Sequence, residues 1–148
     1  MQKTILDPEA GDELVADLEG VDQTAYSRGV VVSHADHDRV YLSGVTPVET
    51  AEDAIGDQTR EVLDVIERYL EHLGGSMADV VRVRVFVEDA MDTEFADVHA
   101  ARREYFGPGN FPASTLVEVD QLVRGRIEIE AEALIPDDGW ETETVRLA

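Results

Sequence analysis

Phe111 to Leu134, FPASTLVEVDQLVRGRIEIEAEAL, decides how this chain folds. In its second half Ile127, Ile129, Ala131 and Ala133 alternate with Arg126, Glu128, Glu130 and Glu132. A period of two puts the apolar set on one face of a strand and the charged set on the other. In the first half, Leu116-Val117-Glu118-Val119 is rich in β-formers and predicts another strand. The link from Asp120 to Gly125 is polar, with Gly125 as its turn residue. A sheet with one apolar face must be covered by something else in the chain.

The clearest cover is a helix from Ala54 to Leu73. There Ile55, Thr59, Val62, Ile66, Tyr69, Leu70 and Leu73 recur at steps of three and four, while charged residues fill the other side. Gly74-Gly75 ends it in the manner of a left-handed cap. Asp92 or Thr93 can cap a second helix whose stripe is Phe95, Val98, Arg102, Tyr105 and Phe106, and Gly107-Pro108-Gly109-Asn110 stops it. Between the helices, Val81, Val83, Val85 and Val87 alternate with Arg82, Arg84, Phe86 and Glu88 and predict a strand. Upstream, Ala25–Ser33 and Arg39–Ser43 read as a hairpin closed by the polar segment His34 to Asp38. Met1–Leu6 reads as a short strand. Asp7-Pro8 opens a short helix to about Leu18 that would bury Leu14, Val15 and Leu18. Trp140 to Ala148 has some strand character. The order strands, helix, strand, helix, strands predicts an α+β layer with two helices on one face of a mixed sheet.

Composition narrows the function. The chain has 148 residues, 43% of them hydrophobic, which suits one domain with a sizeable core. Its formal net charge is −21, and Lys3 is its sole lysine, the other basic residues being arginines. At about 1 M salt the Debye length is roughly 3 Å, so such a surface no longer repels itself. The composition therefore reads as that of a halophile's protein. Nucleic acid and anionic membranes are poor partners for it, because both are bound through basic clusters. Cysteine is absent, which removes thiol nucleophiles, cysteine metal sites and disulfides. No stretch approaches about 18 apolar residues, and a cytoplasmic location is expected. His34 and His37, interleaved with Asp36 and Asp38, have metal-ligand chemistry but sit in a turn without an evident third ligand, so no metal is expected. Ser43 lacks the Gly-x-Ser-x-Gly frame of a strained nucleophile elbow.

A set of short motifs adds to this reading. They are Tyr26, Val40-Tyr-Leu-Ser-Gly44 with Pro47, Gln58-Thr-Arg-Glu-Val-Leu63, Val85-Phe-Val-Glu-Asp89, Phe95 with Tyr105-Phe106, Phe111-Pro-Ala113, Val117-Glu-Val119 and Ile127-Glu-Ile-Glu-Ala131. In this order, over roughly Ala25 to Pro136, the chain resembles the Rid family, the reactive intermediate deaminases. Older labels of that family are perchloric-acid-soluble endoribonuclease and translation initiation inhibitor. The resemblance implies a chorismate-mutase-like α+β subunit in a homotrimer, with a central β-barrel and ligand clefts between neighbouring subunits. It implies a single such domain across 1–148, with 1–24 as an N-terminal extension and 137–148 as a C-terminal tail. It implies hydrolysis of reactive enamines and imines to 2-keto acids and ammonia, without a cofactor. Two alternatives stand beside it: binding or conversion of a different small molecule in the same cleft, and RNA cleavage or translation inhibition.

The resemblance also implies roles residue by residue. Glu128 matches the glutamate that positions the attacking water. Tyr26, Ser43 and Gly44 match residues lining the cleft. His99 stands where many members carry asparagine, and Leu116 where many carry cysteine. Ser114 stands where the family has the arginine that grips the substrate carboxylate in a bidentate pair, an interaction that guanidinium geometry supplies best. Loss of that contact is worth about 1.5–3 kcal/mol. Arg28, Arg124 and Arg126 are close enough in sequence to compensate, and alternation puts Arg126 on the face of Glu128. The residues alone leave other readings open. Glu128 can be one of three solvated strand acids, His99 a packing residue on its helix, and Tyr26 an ordinary core aromatic.

Overall fold

The computed structural model describes residues 1–92 and 94–147. Six strands are formed: β1 (Gln2–Leu6), β2 (Gly29–Ser33), β3 (His37–Val45), β4 (Val80–Val87), β5 (Ala113–Glu118) and β6 (Ile127–Pro136). Two α-helices accompany them, α1 (Ile55–His72) and α2 (Phe95–Phe106). The strands make one sheet in the order β1-β2-β3-β6-β4-β5, antiparallel throughout except for the parallel pair β4 and β5. The two halves of the 111–134 stretch therefore do not pair with each other; β4 lies between them.

Alternation in β6 sets the layering. Ile127, Ile129, Ala131 and Ala133 are buried, and with Val31, Val40, Leu42, Val83, Val85 and Val87 they form the sheet side of the core. Val62, Leu63, Ile66 and Leu70 of α1 and Val98 and Phe106 of α2 form the other side. Each such side chain contributes about 1.5–3 kcal/mol by leaving water. Helix α1 ends as its glycines predict. Gly74, at φ +84°, donates to Glu71 O, and Gly75 donates to Leu70 O, which closes a Schellman motif.

Buried Gln58 ties the helical layer to the sheet. Its amide nitrogen donates to Asp53 O at 2.8 Å, and its Oε1 accepts from Arg126 N at 2.8 Å, just ahead of β6. Gly125 fits beside it at φ +65°, where a Cβ would come within 2.3 Å of Pro47 Cγ and 2.9 Å of Gln58 Oε1.

Several expectations are corrected by the structure. No helix spans Asp7 to Leu18; turns and one 3₁₀ turn at Asp12–Leu14 run there instead, and Leu18 is exposed. So few residues close helical hydrogen bonds poorly in isolation, and Asp12 bonds Thr24 N and Oγ1 across the loop instead. Strand β2 starts at Gly29 rather than Ala25, and β3 runs longer than expected at both ends. Val81 is exposed while Val80 is buried, because β4 carries an extra residue between Val80 and Arg82, opposite Ala133 and Glu132. That bulge shifts the alternation by one. The tail from Trp140 to Leu147 forms no strand; Trp140 Nε1 donates instead to Asp79 Oδ1 at 2.8 Å. Ahead of α2, Asp92 Oδ1 accepts from Glu94 N; the other capping candidate, Thr93, lies outside the described residues. No helix among the described residues is long and apolar enough to cross a membrane.

Candidate functional site

The sheet face turned away from the helices carries Glu128, Glu130 and Glu132. Glu130 and Glu132 are both paired with Arg84, the first closely and the second at 3.6 Å. Glu128 accepts no hydrogen bond from any described residue. Its carboxyl is half-buried, and that burial, together with the neighbouring Glu130 charge, raises its pKa above the ordinary carboxylate value while Arg28 opposes the rise. A strand of three similar acids thus holds two paired acids and one free acid.

A second bulge makes room for the free one. Between Leu42 and Val45, strand β3 has one residue more than β6, opposite Ala131 to Ile129. The extra residue sets Ser43 and Gly44 together opposite Glu130, brings Gly44 against the Glu128 carboxyl and returns Val45 to the core. Bulges of this kind re-aim strand residues next to sites. Ser43 turns back, its hydroxyl donating to Ser27 O at 2.8 Å. Gly44 lies so close that a Cβ there would meet Glu128 Oε1 at 1.9 Å. Only glycine leaves space for this carboxyl.

Around it is a hollow of about 290 Å³ lined by Tyr26, Arg28, Ser43, Gly44, Thr46, Arg124 and Glu128, and walled on the outside by Ala10, Glu13 and Leu14 of the first loop. Arg28 Nη1 donates to Gly44 O at 3.3 Å. Arg124 reaches Glu13 at only 3.5 Å, and its buried Nε has no hydrogen-bond partner among the described residues. Of the three arginines expected near the site, Arg28 and Arg124 face the hollow. Arg126 does not: Glu94, Asp92 and Asp89 hold it at 3.3, 3.7 and 3.9 Å.

His99, Ser114 and Leu116 lie elsewhere. Ser114 and Leu116 pair with Val83 and Val85 on the helix side of edge strand β5, two strands away from β6. Leu116 packs on the core. Ser114 Oγ accepts from Arg102 Nη2 of α2 at 2.9 Å. His99 stands one helical turn before Arg102, edge-on to Phe95 with ring centroids 5.1 Å apart. Partial burial, then the charges of Arg102 and Arg103, hold its imidazole below the ordinary value. Seven predicted residues thus divide into two groups: Tyr26, Ser43, Gly44 and Glu128 in the hollow, and His99, Ser114 and Leu116 at the far edge. Sequence reasoning missed Arg102 because it fell on the apolar stripe of its helix and was counted as packing. An arginine on that stripe, three residues after His99, was the available signal.

His34 and His37 stack with centroids 4.5 Å apart, and His37 Nδ1 meets Asp36 Oδ1 at 2.7 Å. Among the described residues no group of three or more His, Asp or Glu side chains is arranged to hold a metal ion.

Comparison with known proteins agrees with this architecture. The family model described as Endoribonuclease L-PSP matches residues 21–135. A RutC family protein of Pyrococcus abyssi is 36% identical over 114 residues, which is 74% of this chain and 84% of that one. A Salmonella typhimurium protein named 2-iminobutanoate/2-iminopropanoate deaminase is 36% identical over 102 residues, 64% of this chain and 78% of that one. The crystal structure of a YjgF/YER057c/UK114 family member from Mycobacterium tuberculosis superposes with a TM-score of 0.69 at 30% identity, covering 90% of this chain and all (100%) of that one.

Proposed function

The chain belongs to the endoribonuclease L-PSP family, also called Rid or YjgF, and from that premise we propose that it hydrolyses small reactive imines and enamines to keto acids and ammonia. One observation carries this reading. Glu128 is a half-buried carboxyl with a raised pKa and no hydrogen-bond partner, facing a hollow that a bulge and a glycine keep open. A carboxylate so placed is available to a water molecule, and a pKa shifted toward neutrality suits it both to take and to return a proton.

The step balances with this one group. Glu128 accepts a proton from water as its oxygen bonds to the imine carbon and the C=N π electrons move to nitrogen. Glu128 returns that proton to nitrogen, giving the neutral carbinolamine, then carries the hydroxyl proton to nitrogen as C=O forms and the C–N bond breaks to release ammonia. An enamine first gains a proton at its terminal carbon and becomes the imine. No cofactor is called on.

The second group of residues completes the site from another copy. Within one chain, β4 and the thickness of the sheet separate Ser114 from Glu128. Exposed Tyr41, Val81 and Val117 offer apolar surface for association. We therefore place the cleft between subunits of a homotrimer, in the cytoplasm, with Tyr26, Ser43, Gly44 and Glu128 from one subunit and His99, Ser114 and Leu116 from its neighbour.

The test is ammonia release from freshly generated 2-aminoacrylate or 2-iminobutanoate at high salt, with wild type beside Glu128→Gln. Acceleration by wild type that is lost in the variant is expected. No acceleration by wild type rules the reaction out. Ser114 in place of an arginine favours a second reading, in which a different small molecule is bound in the same cleft; it gains if wild type binds neutral analogues more tightly than keto acids. RNA cleavage finds no support in a chain with net charge −21.

A further inference from the structure

Among the described residues, four of the eleven arginines, Arg60, Arg84, Arg124 and Arg126, have an acid within ion-pair distance. Arg102 is not one of them. It is half-buried on α2, its charge is disfavoured by that burial, and no described carboxylate pairs with it. Its hydrogen bond goes to a neutral hydroxyl, Ser114 Oγ, which leaves most of the five guanidinium N–H groups without a partner. A desolvated cation without a counter-charge is costly, and 33 acids were available to supply one.

Its neighbours sharpen the point. His99, one turn earlier, is held toward its neutral form by partial burial and by the charges of Arg102 and Arg103, so it adds no charge beside Arg102. Ser114 holds one edge of the guanidinium by hydrogen bond, so the planar fork is oriented before any ligand arrives. A fork held in this way matches a carboxylate bidentately.

We infer that Arg102, supplied from α2 and steadied by Ser114, is the residue that binds the carboxylate of the substrate. This rests on the proposed assignment of the Glu128 cleft to small keto-acid precursors. It moves the anion-binding guanidinium from the strand to the helix, and it makes Ser114 a positioning residue rather than a lost function. The site then prefers small α-keto and α-imino acids over their neutral amides or esters.

Calorimetric titration tests this without requiring turnover. The probes are 2-oxobutanoate, a stable product analogue, and its neutral amide, each titrated into the intact assembly. Arg102→Gln should weaken 2-oxobutanoate binding about ten- to hundredfold and leave the amide unchanged. Arg102→Gln combined with Ser114→Arg, which returns a guanidinium from the strand, should recover most of the loss and also guards against a misfolded single variant. Equal binding of 2-oxobutanoate by wild type and Arg102→Gln overturns the inference, as does wild type that prefers the amide or binds neither probe. If keto acid binding depends on Arg102 while no ammonia is released, the anchor stands and the hydrolytic reading alone falls.

Discussion

Gly44→Ala isolates the geometry of the proposed site. The added methyl would begin 1.9 Å from Glu128 Oε1, 2.8 Å from its Cδ and 3.0 Å from its Cγ. Ordinary contact with the oxygen requires a retreat of about 1.5 Å. What must move is the far end of a flexible side chain, so the fold absorbs the change. An off-rotamer glutamate costs about 0.5–1.5 kcal/mol, a fall of no more than roughly 6 °C in Tm for a domain of this size. Catalysis should suffer more. Misplacing a reacting group by about 1 Å costs on the order of a hundredfold in rate, about 2.7 kcal/mol of barrier. The assay is kcat for ammonia release from 2-aminoacrylate by Gly44→Ala, together with the urea midpoint of the same change in wild type and in a Glu128→Ala background where the methyl no longer meets the carboxyl. A hundredfold loss of kcat is expected, with a lower midpoint in the first background and no change in the second. Unchanged kcat, or equal midpoint losses in both backgrounds, would show that Gly44 does not act through Glu128.

Three further outcomes are expected. Burial and Glu130 raise the pKa of Glu128 in the folded state, so folding is favoured by its proton and opposed by its charge; Glu128→Gln should therefore melt higher than wild type at pH 7, a gain that shrinks as pH falls through the raised pKa and is gone below the ordinary carboxylate value, and a lower melting point at pH 7 refutes this. Glu61 behaves oppositely: against the effect of burial, the Thr50 hydroxyl and the N–H groups of Val48, Glu49 and Thr50 hold its pKa down to about 2. That stability is present above about pH 4.5 and lost as pH falls toward 2, and after allowance for solvent exposure Glu61→Gln should cost about 1–2 kcal/mol in urea melts at pH 7 but little near pH 2. Trp140→Phe removes the indole donor to buried Asp79 and should cost about 1–3 kcal/mol, read as a lower urea midpoint; an unchanged midpoint would show that the tail is not anchored there.

The sheet and its helical cover were legible because their signals are periodic. Ile127, Ile129, Ala131 and Ala133 could face only one way, and the α1 stripe could be read by counting. Both bulges defeated the same counting. Nothing local marks Val81 as the extra residue of β4, and Ser43-Gly44 becomes an irregularity only when Ala131 and Ile129 lie opposite. The first loop was misread because Thr24 and Tyr26, which lie against its Asp12 and Gly11, come from its far end. In the site, Glu128 could not be separated from Glu130 and Glu132 by pattern alone. The difference is Arg84, a cross-strand neighbour that claims two of the three acids. Arg102 was visible as a residue, but its lack of a carboxylate partner is a property of the folded chain.

Strand β6 is the last of the six in the order of synthesis, yet it lies between β3 and β4. Before it emerges, the nascent chain can form β1-β2-β3 and β4-α2-β5 as two separate leaves, each with an unpaired apolar edge. One ten-residue segment then joins both leaves and closes the core. Folding is thus committed late, by contacts distant along the chain, which is the slow and aggregation-exposed route. The same segment carries Glu128. A chain unable to seat its keystone strand has no acid in the cleft, so assembly of the sheet and acquisition of the proposed chemistry are a single event.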